Sequence, residues 1–277
     1  MKPIRLIGAL SALAAAIALV GCAGAPTSPA ASATPTYVLV HGAFQDQRVW
    51  ADVLPRLQGA GIKAVTLDLP GRANGNTPLE SASLDGYRDA VLKLVNEQDG
   101  PVVLVGHSFG GITISAVAEA APARVRTLVY LAAYLPQADA PDQSMAKIAE
   151  TDQWNQFNKA RQNFILAKDY KSATVLAEDQ LLLFCATCTL QAQARTLSIM
   201  QREPLAPAAT PVKVSAARFG RVDKVYIHTT RDNAVSYRLQ QAMVARTPVR
   251  KALSLDTGHS PFVESPLALA DALISLK

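Results

Sequence analysis

Ser108 stands in Gly106-His107-Ser108-Phe109-Gly110-Gly111, directly after the apolar run Val102-Val103-Leu104-Val105. Glycines on both sides of a serine let the backbone turn sharply from a strand into a helix. That turn leaves the hydroxyl exposed and aims the next amide at whatever the hydroxyl attacks. The flanks agree: aliphatic and β-branched residues precede it, and an alanine-rich amphipathic stretch from Ile112 to Ala120 follows. A serine hydroxyl is a weak nucleophile at neutral pH, so it needs a base within reach and an acid that orients the base. Of the four histidines, His259 in Thr257-Gly258-His259-Ser260-Pro261 follows a short apolar run and is the expected base. His107 is expected to pack beside the turn, His228 to end the apolar run Val225-Tyr226-Ile227, and His41 to be architectural. The acid is sought among Asp232, Asp139, Asp142 and Asp256; Asp256, three residues from His259, is too close along the chain to reach behind the ring.

Val40-His41-Gly42-Ala43, Trp50, Leu67-Asp68-Leu69-Pro70-Gly71, the Gly106–Gly111 turn, Val225-Tyr226-Ile227 and Gly258-His259 together resemble the α/β-hydrolase superfamily. The resemblance is greatest to the branch with plant methylesterases, hydroxynitrile lyases and bacterial esterase relatives. It covers residues 36–277, weakly over about 136–215. It implies a triad of Ser108, Asp232 and His259, with the acid after the penultimate strand and the base after the last. It also implies an oxyanion hole from the backbone N–H groups of Ala43 and Phe109. Lyases of that branch carry a lysine after the base histidine and a threonine where Gly42 stands. Here Ser260 follows His259, so no cation is present to stabilise a departing cyanide, and ester hydrolysis is the expected activity. Haloalkane dehalogenases and epoxide hydrolases carry aspartate at the turn, which Ser108 argues against. The expected substrate is a small or medium ester, and the expected chemistry needs no metal and no organic cofactor. A carbon–carbon lyase on the same triad and a non-catalytic lipid-anchored binding protein are the alternatives.

The elements that must position these groups follow from the apolar runs. Runs at 37–40, 62–67, 102–106, 125–132, 222–228 and 249–255 alternate with helical stretches such as Tyr87–Gln98 and Pro266–Leu276. That alternation predicts an α/β fold: a six-stranded, mostly parallel sheet with helices on both faces. Residues 136–215 interrupt it and predict a polar, mostly helical cap with aromatics at Trp154, Phe157 and Phe164. Cys185-Ala186-Thr187-Cys188 lacks a thioredoxin-like βαβ context and further zinc ligands nearby, leaving open a local disulfide that a regular helix would disfavour.

The N-terminus reads as a separate unit. Lys2 and Arg5 precede an apolar stretch, Leu6 to Val20, that ends in Leu19-Val20-Gly21-Cys22. This resembles a bacterial lipoprotein signal over residues 1–21, which implies acylation of Cys22 and a lipid anchor in the cell envelope, on the periplasmic side of the outer membrane in a Gram-negative source. Residues 22–35, rich in Ala, Pro, Ser and Thr, read as a flexible tether to the domain at 36–277. Removing Lys2 and Arg5 takes the 27 basic residues to 25 against 22 acidic ones, and the net charge from +5 to +3. That balance is too small and too scattered to argue for nucleic acid.

Overall fold

The computed structural model describes Met1 and residues 34–73, 75, 77–151 and 164–277. The expected signal with Cys22, most of the tether, and Trp154 and Phe157 lie outside the described residues. Residues Thr34–Lys277 form one compact unit.

Its main sheet has six strands: β1 (Tyr37–Val40), β2 (Ala64–Thr66), β3 (Val102–His107), β4 (Val125–Leu131), β8 (Asp223–Thr229) and β9 (Lys251–Leu255). They lie in the order β2-β1-β3-β4-β8-β9, and every pairing is parallel. Each strand coincides with one of the apolar runs. Val102–His107 is buried along its whole length, as expected of a strand covered on both faces. Side chains alternate between the two faces. Val38, Leu104, Leu128 and Tyr226 enter one core; Leu39, Val103, Val129 and Ile227 enter the other.

Helix α1 (Leu54–Gly59) follows β1 and helix α2 (Leu84–Asn96) follows β2. The second begins earlier than the sequence pattern suggests, because the Ser83 hydroxyl accepts from the Gly86 amide at 3.0 Å and caps it. Helix α3 (Gly110–Ala120) leaves β3 at the serine turn, and Ile112, Ile114 and Val117 join the first core with Tyr87 and Val91 of α2. The second core takes Trp50 and Leu57 on one side, and Phe262, Leu269 and Leu273 from the C-terminal segment.

The region between β4 and β8 is the cap. It holds helices α4 (Met145–Glu150), α5 (Ala177–Phe184), α6 (Leu190–Ile199) and α7 (Leu205–Ala209). The cap also contains an antiparallel sheet that its sequence pattern did not announce: β5 (Phe164–Leu166), β6 (Ser172–Val175) and β7 (Glu203–Pro204). These strands are too short to impose a periodicity on the sequence. Cys185 and Cys188 form a disulfide across the turn between α5 and α6, with Cα atoms 5.2 Å apart. The objection from helix geometry does not apply, because this turn is not helical.

Candidate active site

The sheet order places the site. The chain runs outward from β1 to β2 and returns to β3 on the other side of β1. Such a reversal opens a crevice at the carboxyl ends of the two diverging strands. The segment His41–Phe44 leaves β1 there, and Ser108 leaves β3 beside it.

Ser108 has φ = 52°, the left-handed region that a non-glycine residue adopts at a cost. A Cβ on Gly106 would lie 2.6 Å from the Gly110 carbonyl oxygen. A Cβ on Gly110 would lie 2.8 Å from the His41 oxygen and 3.0 Å from that of Val40. The glycines therefore let the turn fold on itself and lie against the loop after β1. Gly42 is equally confined, its missing Cβ falling 2.8 Å from both His107 Nδ1 and Ser108 Cβ.

His259 follows β9, and its Nδ1 is 2.8 Å from Asp232 Oδ2. A carboxylate at that nitrogen selects the tautomer protonated there and leaves the lone pair on Nε2. Asp232 is itself fixed. Oδ2 also accepts from Thr229 Oγ1 at 2.8 Å and Gln240 Nε2 at 3.2 Å. Oδ1 accepts from the amides of Ala234 and Val235, each at 2.8 Å. With donors on both oxygens the carboxylate cannot swing away from the ring. Ser108 and His259 line one narrow cavity together with Ala43, Phe44 and Tyr134. Among the described hydrogen bonds, the His259 ring is joined to Asp232 and not to Ser108 Oγ. Catalytic hydrogen bonds of this kind commonly tighten only around bound substrate.

The competing acids lie elsewhere. Asp139 accepts from the Ala216 amide, Asp142 from the Ser144 amide, and exposed Asp256 pairs with Arg231 at 3.0 Å. Ala43 and Phe109 are buried, and among the described residues neither amide donates to a protein acceptor.

Two of the remaining histidines hold backbone. His41 Nε2 accepts from the Leu69 amide at 3.1 Å, and Nδ1 lies 2.8 Å from the Gly42 oxygen. Burial, aided by the nearby Arg72 charge, pushes its pKa down to about 3, so the ring is neutral and ties the loop after β1 to the segment after β2. His107 Nε2 lies 2.8 Å from the His259 carbonyl oxygen, which it holds by donating. Burial and then the His259 ring keep His107 well below the usual histidine range. Its ring lies 4.8 Å from that of Phe262, which also packs on Trp50. His228 stacks against Tyr226 at the end of β8 and is not a wall of the Ser108 cavity.

A wider cavity of about 370 Å³ shares the Ala43, Phe44 and Met145 walls with the narrow one, without touching Ser108 itself. Its other walls are mostly apolar, among them Phe164, Leu166 and Leu205, with one carboxylate, Glu203. The Phe164 ring stacks on Phe44 with centroids 5.3 Å apart. Among the described residues, no group of three or more His, Cys, Asp or Glu side chains is placed to hold a metal.

Residues 37–272 match the model of the alpha/beta hydrolase family. The chain belongs to this family. As an alpha/beta hydrolase it is similar to a chloroplastic methylesterase-like protein of Arabidopsis thaliana, 28% identical over 251 residues, covering 87% of this chain and 63% of that relative. It is also similar to the α-hydroxynitrile lyase of Arabidopsis thaliana, 25% identical over 260 residues, covering 87% of this chain and 96% of the lyase. Among solved structures, a pyrethroid hydrolase from Sphingobium faniae shares the fold with a TM-score of 0.76 at 22% identity, over 87% of this chain and 96% of that one.

Several residues of this hydrolase site have no signal in the sequence. Thr229 and Gln240 brace Asp232 from two different elements. Glu264 accepts from the Gly258 amide at 2.8 Å and from Thr187 Oγ1 at 2.5 Å, and so ties the histidine loop to the disulfide turn of the cap. None sits in a motif; each is recognisable only by the atom it touches.

Proposed function

We propose that this alpha/beta hydrolase is a serine carboxylic-ester hydrolase that works through an acyl-enzyme. The reading rests chiefly on one observation: His259, paired with Asp232, shares a cavity with a serine held at positive φ on a strand–helix turn. His259 Nε2 takes the Ser108 proton as Oγ attacks the ester carbonyl. The Ala43 and Phe109 amides bind the resulting oxyanion, and Asp232 orients the ring and balances its charge. Collapse of the tetrahedral intermediate breaks the bond to the alkoxy group, which leaves with the proton from His259. Water, activated by the same ring, then attacks the acyl-enzyme, and Ser108 recovers its proton as the acid departs. The esterase names of the relatives and the apolar cavity support an ester with an apolar acyl or alcohol part.

The lyase alternative is less well supported. Ser260 supplies no cation next to His259, and a threonine at position 42 would press its Cβ against Ser108 and His107. For location, Leu19-Val20-Gly21-Cys22 supports a lipid anchor on Cys22, and loss of labelled palmitate uptake and membrane fractionation in Cys22→Ser is the expected result.

The test of the catalytic reading is a fluorophosphonate probe combined with Ser108→Ala. The wild type is expected to take up one label at Ser108. The variant is expected to take up none and to lose on the order of 10⁴ to 10⁶-fold in kcat. A folded Ser108→Ala protein that still turns esters over at the wild-type rate would rule the reading out.

A further inference from the structure

The buried Glu203–Arg72 pair is far from the triad in sequence and has no place in the mechanism above. Glu203 comes from the short cap strand β7, and Arg72 from the loop after β2. Arg72 Nη2 is 2.8 Å from Glu203 Oε2, and both side chains are almost wholly buried. Burying two charges carries a large desolvation cost, and breaking such a pair leaves an uncompensated charge. Glu203 Oε2 also accepts from the Phe44 amide at 2.6 Å. Two residues earlier in the same cap segment, the Gln201 amide donates to the Phe44 carbonyl oxygen at 2.8 Å. Phe44 is thus gripped on both its peptide groups by residues 201–203, and it needs the grip, because its φ is 60°. The peptide unit just before it carries the Ala43 carbonyl, and Ala43 is the residue whose N–H faces no protein acceptor.

We propose that Glu203 is a positioning residue for the oxyanion-binding loop: by holding the Phe44 amide it fixes the turn that aims the Ala43 N–H. The inference rests on the serine-esterase reading. An oxyanion donor works only when it is already aimed at the place where charge develops. A lone carboxylate this close to the loop would oppose that charge, and the Arg72 guanidinium offsets it. Burial pushes the Glu203 carboxyl up while Arg72 acts in the opposite direction.

The test compares Glu203→Gln, Glu203→Ala and the double variant Arg72→Met/Glu203→Met with the wild type and Ser108→Ala. Glutamine keeps an acceptor oxygen for Phe44. The double variant removes both charges and the acceptor while filling the space, a replacement that buried ion pairs often tolerate without loss of stability. kcat and KM are measured with one ester, with active sites counted by completed fluorophosphonate labelling. A trifluoromethyl ketone, which becomes a bound oxyanion, is compared with the methyl ketone of the same skeleton.

Glu203→Ala and the double variant are expected to lose about 10- to 100-fold in kcat, less than the full loss of an oxyanion donor. KM should stay within about threefold, trifluoromethyl ketone affinity should fall with kcat, and Glu203→Gln should recover most of the rate. If Glu203→Ala fails to fold, the double variant carries the test. Wild-type kcat in the double variant, or a raised KM at constant kcat, overturns the inference if Ser108→Ala is inactive. Full activity in Ser108→Ala overturns the esterase reading instead.

Discussion

Two regions of this hydrolase meet at the site, and they are built differently. In the main sheet, each residue of the proposed site follows the end of its own strand: Ala43 after β1, Ser108 after β3, Asp232 after β8 and His259 after β9. β1, β3 and β8 are buried along almost their whole length, so their ends are fixed by the core rather than by the site, while β9 is a half-buried edge strand held by its pairing with β8. Phe262 illustrates the link, packing at once on Trp50 and on His107, the residue that holds the His259 carbonyl. In the cap, strands of two to four residues and short helices bury fewer side chains. The cap reaches the site through a few individual contacts: Gln201 and Glu203 on the β1 loop, Thr187 on Glu264 beside the His259 loop, and Phe184, whose ring packs edge-on against His259 with centroids 5.5 Å apart. Other apolar groups of the cap, Phe164, Leu166 and Leu205 among them, face the wider cavity. The difference suggests a division in which the sheet sets what reaction is possible, and the cap sets which substrates enter and how well the loops are aimed.

That division can be broken by changes ranked by their expected effect. Asp232→Asn should lose roughly 10⁴-fold in kcat, because an amide cannot hold the same histidine tautomer. Asp256→Asn, on the exposed side of the Arg231 pair, should leave kcat near wild type. Equal losses in both would show that the acid is misassigned. Next comes Gly110→Ala, whose Cβ would press on the His41 and Val40 carbonyls and shift the loop carrying Ala43. A loss of about 10² to 10³-fold is expected in kcat, comparable to removal of one oxyanion donor. Unchanged kinetics in the folded variant would show that the turn and the loop need not touch so closely.

Changes in the apolar cavity wall of the cap should act through KM. Phe164→Ala removes the ring stacked on Phe44 and opens one wall of the cavity. For esters with bulky apolar groups KM should rise several-fold, as expected for lost apolar contact worth about 1 kcal/mol, while a small acetate ester should be little affected. A fall in kcat for every ester alike would blur the line between cap and sheet.

Acid should weaken the sheet region. His41 has a folded pKa of about 3, below its ordinary value of 6.5, because it is buried neutral. The unfolded chain therefore binds the proton first. The contribution is fully present above about pH 6.5 and is lost as pH falls toward 3, by about 1 kcal/mol per pH unit. His107 acts in the same sense. Urea midpoints at pH 7.5 and 4.5 measure the effect, and a flat profile would mean the two rings are not held neutral. No histidine lies between residues 136 and 215, so none in the cap adds to the slope.

The contrast between the regions also explains what was legible in the sequence. Six apolar runs correspond to the six sheet strands; in the central strands β1, β3 and β4 this follows from burial on both faces, while the edge strands β2 and β9 are half-buried. The Gly106–Gly111 turn was readable because a close strand–helix approach leaves room for nothing larger than hydrogen at Gly106 and Gly110. The positions of Asp232 and His259 followed from chain order and the strand each one ends. For the cap, helices were readable and the antiparallel sheet was not, since two- to four-residue strands carry too few residues to show a period. Glu203 in Gln201-Arg202-Glu203-Pro204 carries no sequence feature that marks it as buried, yet it lies against Arg72, 131 positions earlier in the chain. The sequence by itself therefore determined the sheet, the serine turn and which acid and histidine follow the last two strands, because these depend on local patterning and strand order. Only the tertiary structure decided which donors fix Asp232, which histidine holds backbone, and which buried charge grips Phe44. Those depend on atoms brought within 3 Å of each other from distant segments, and no local pattern encodes that distance.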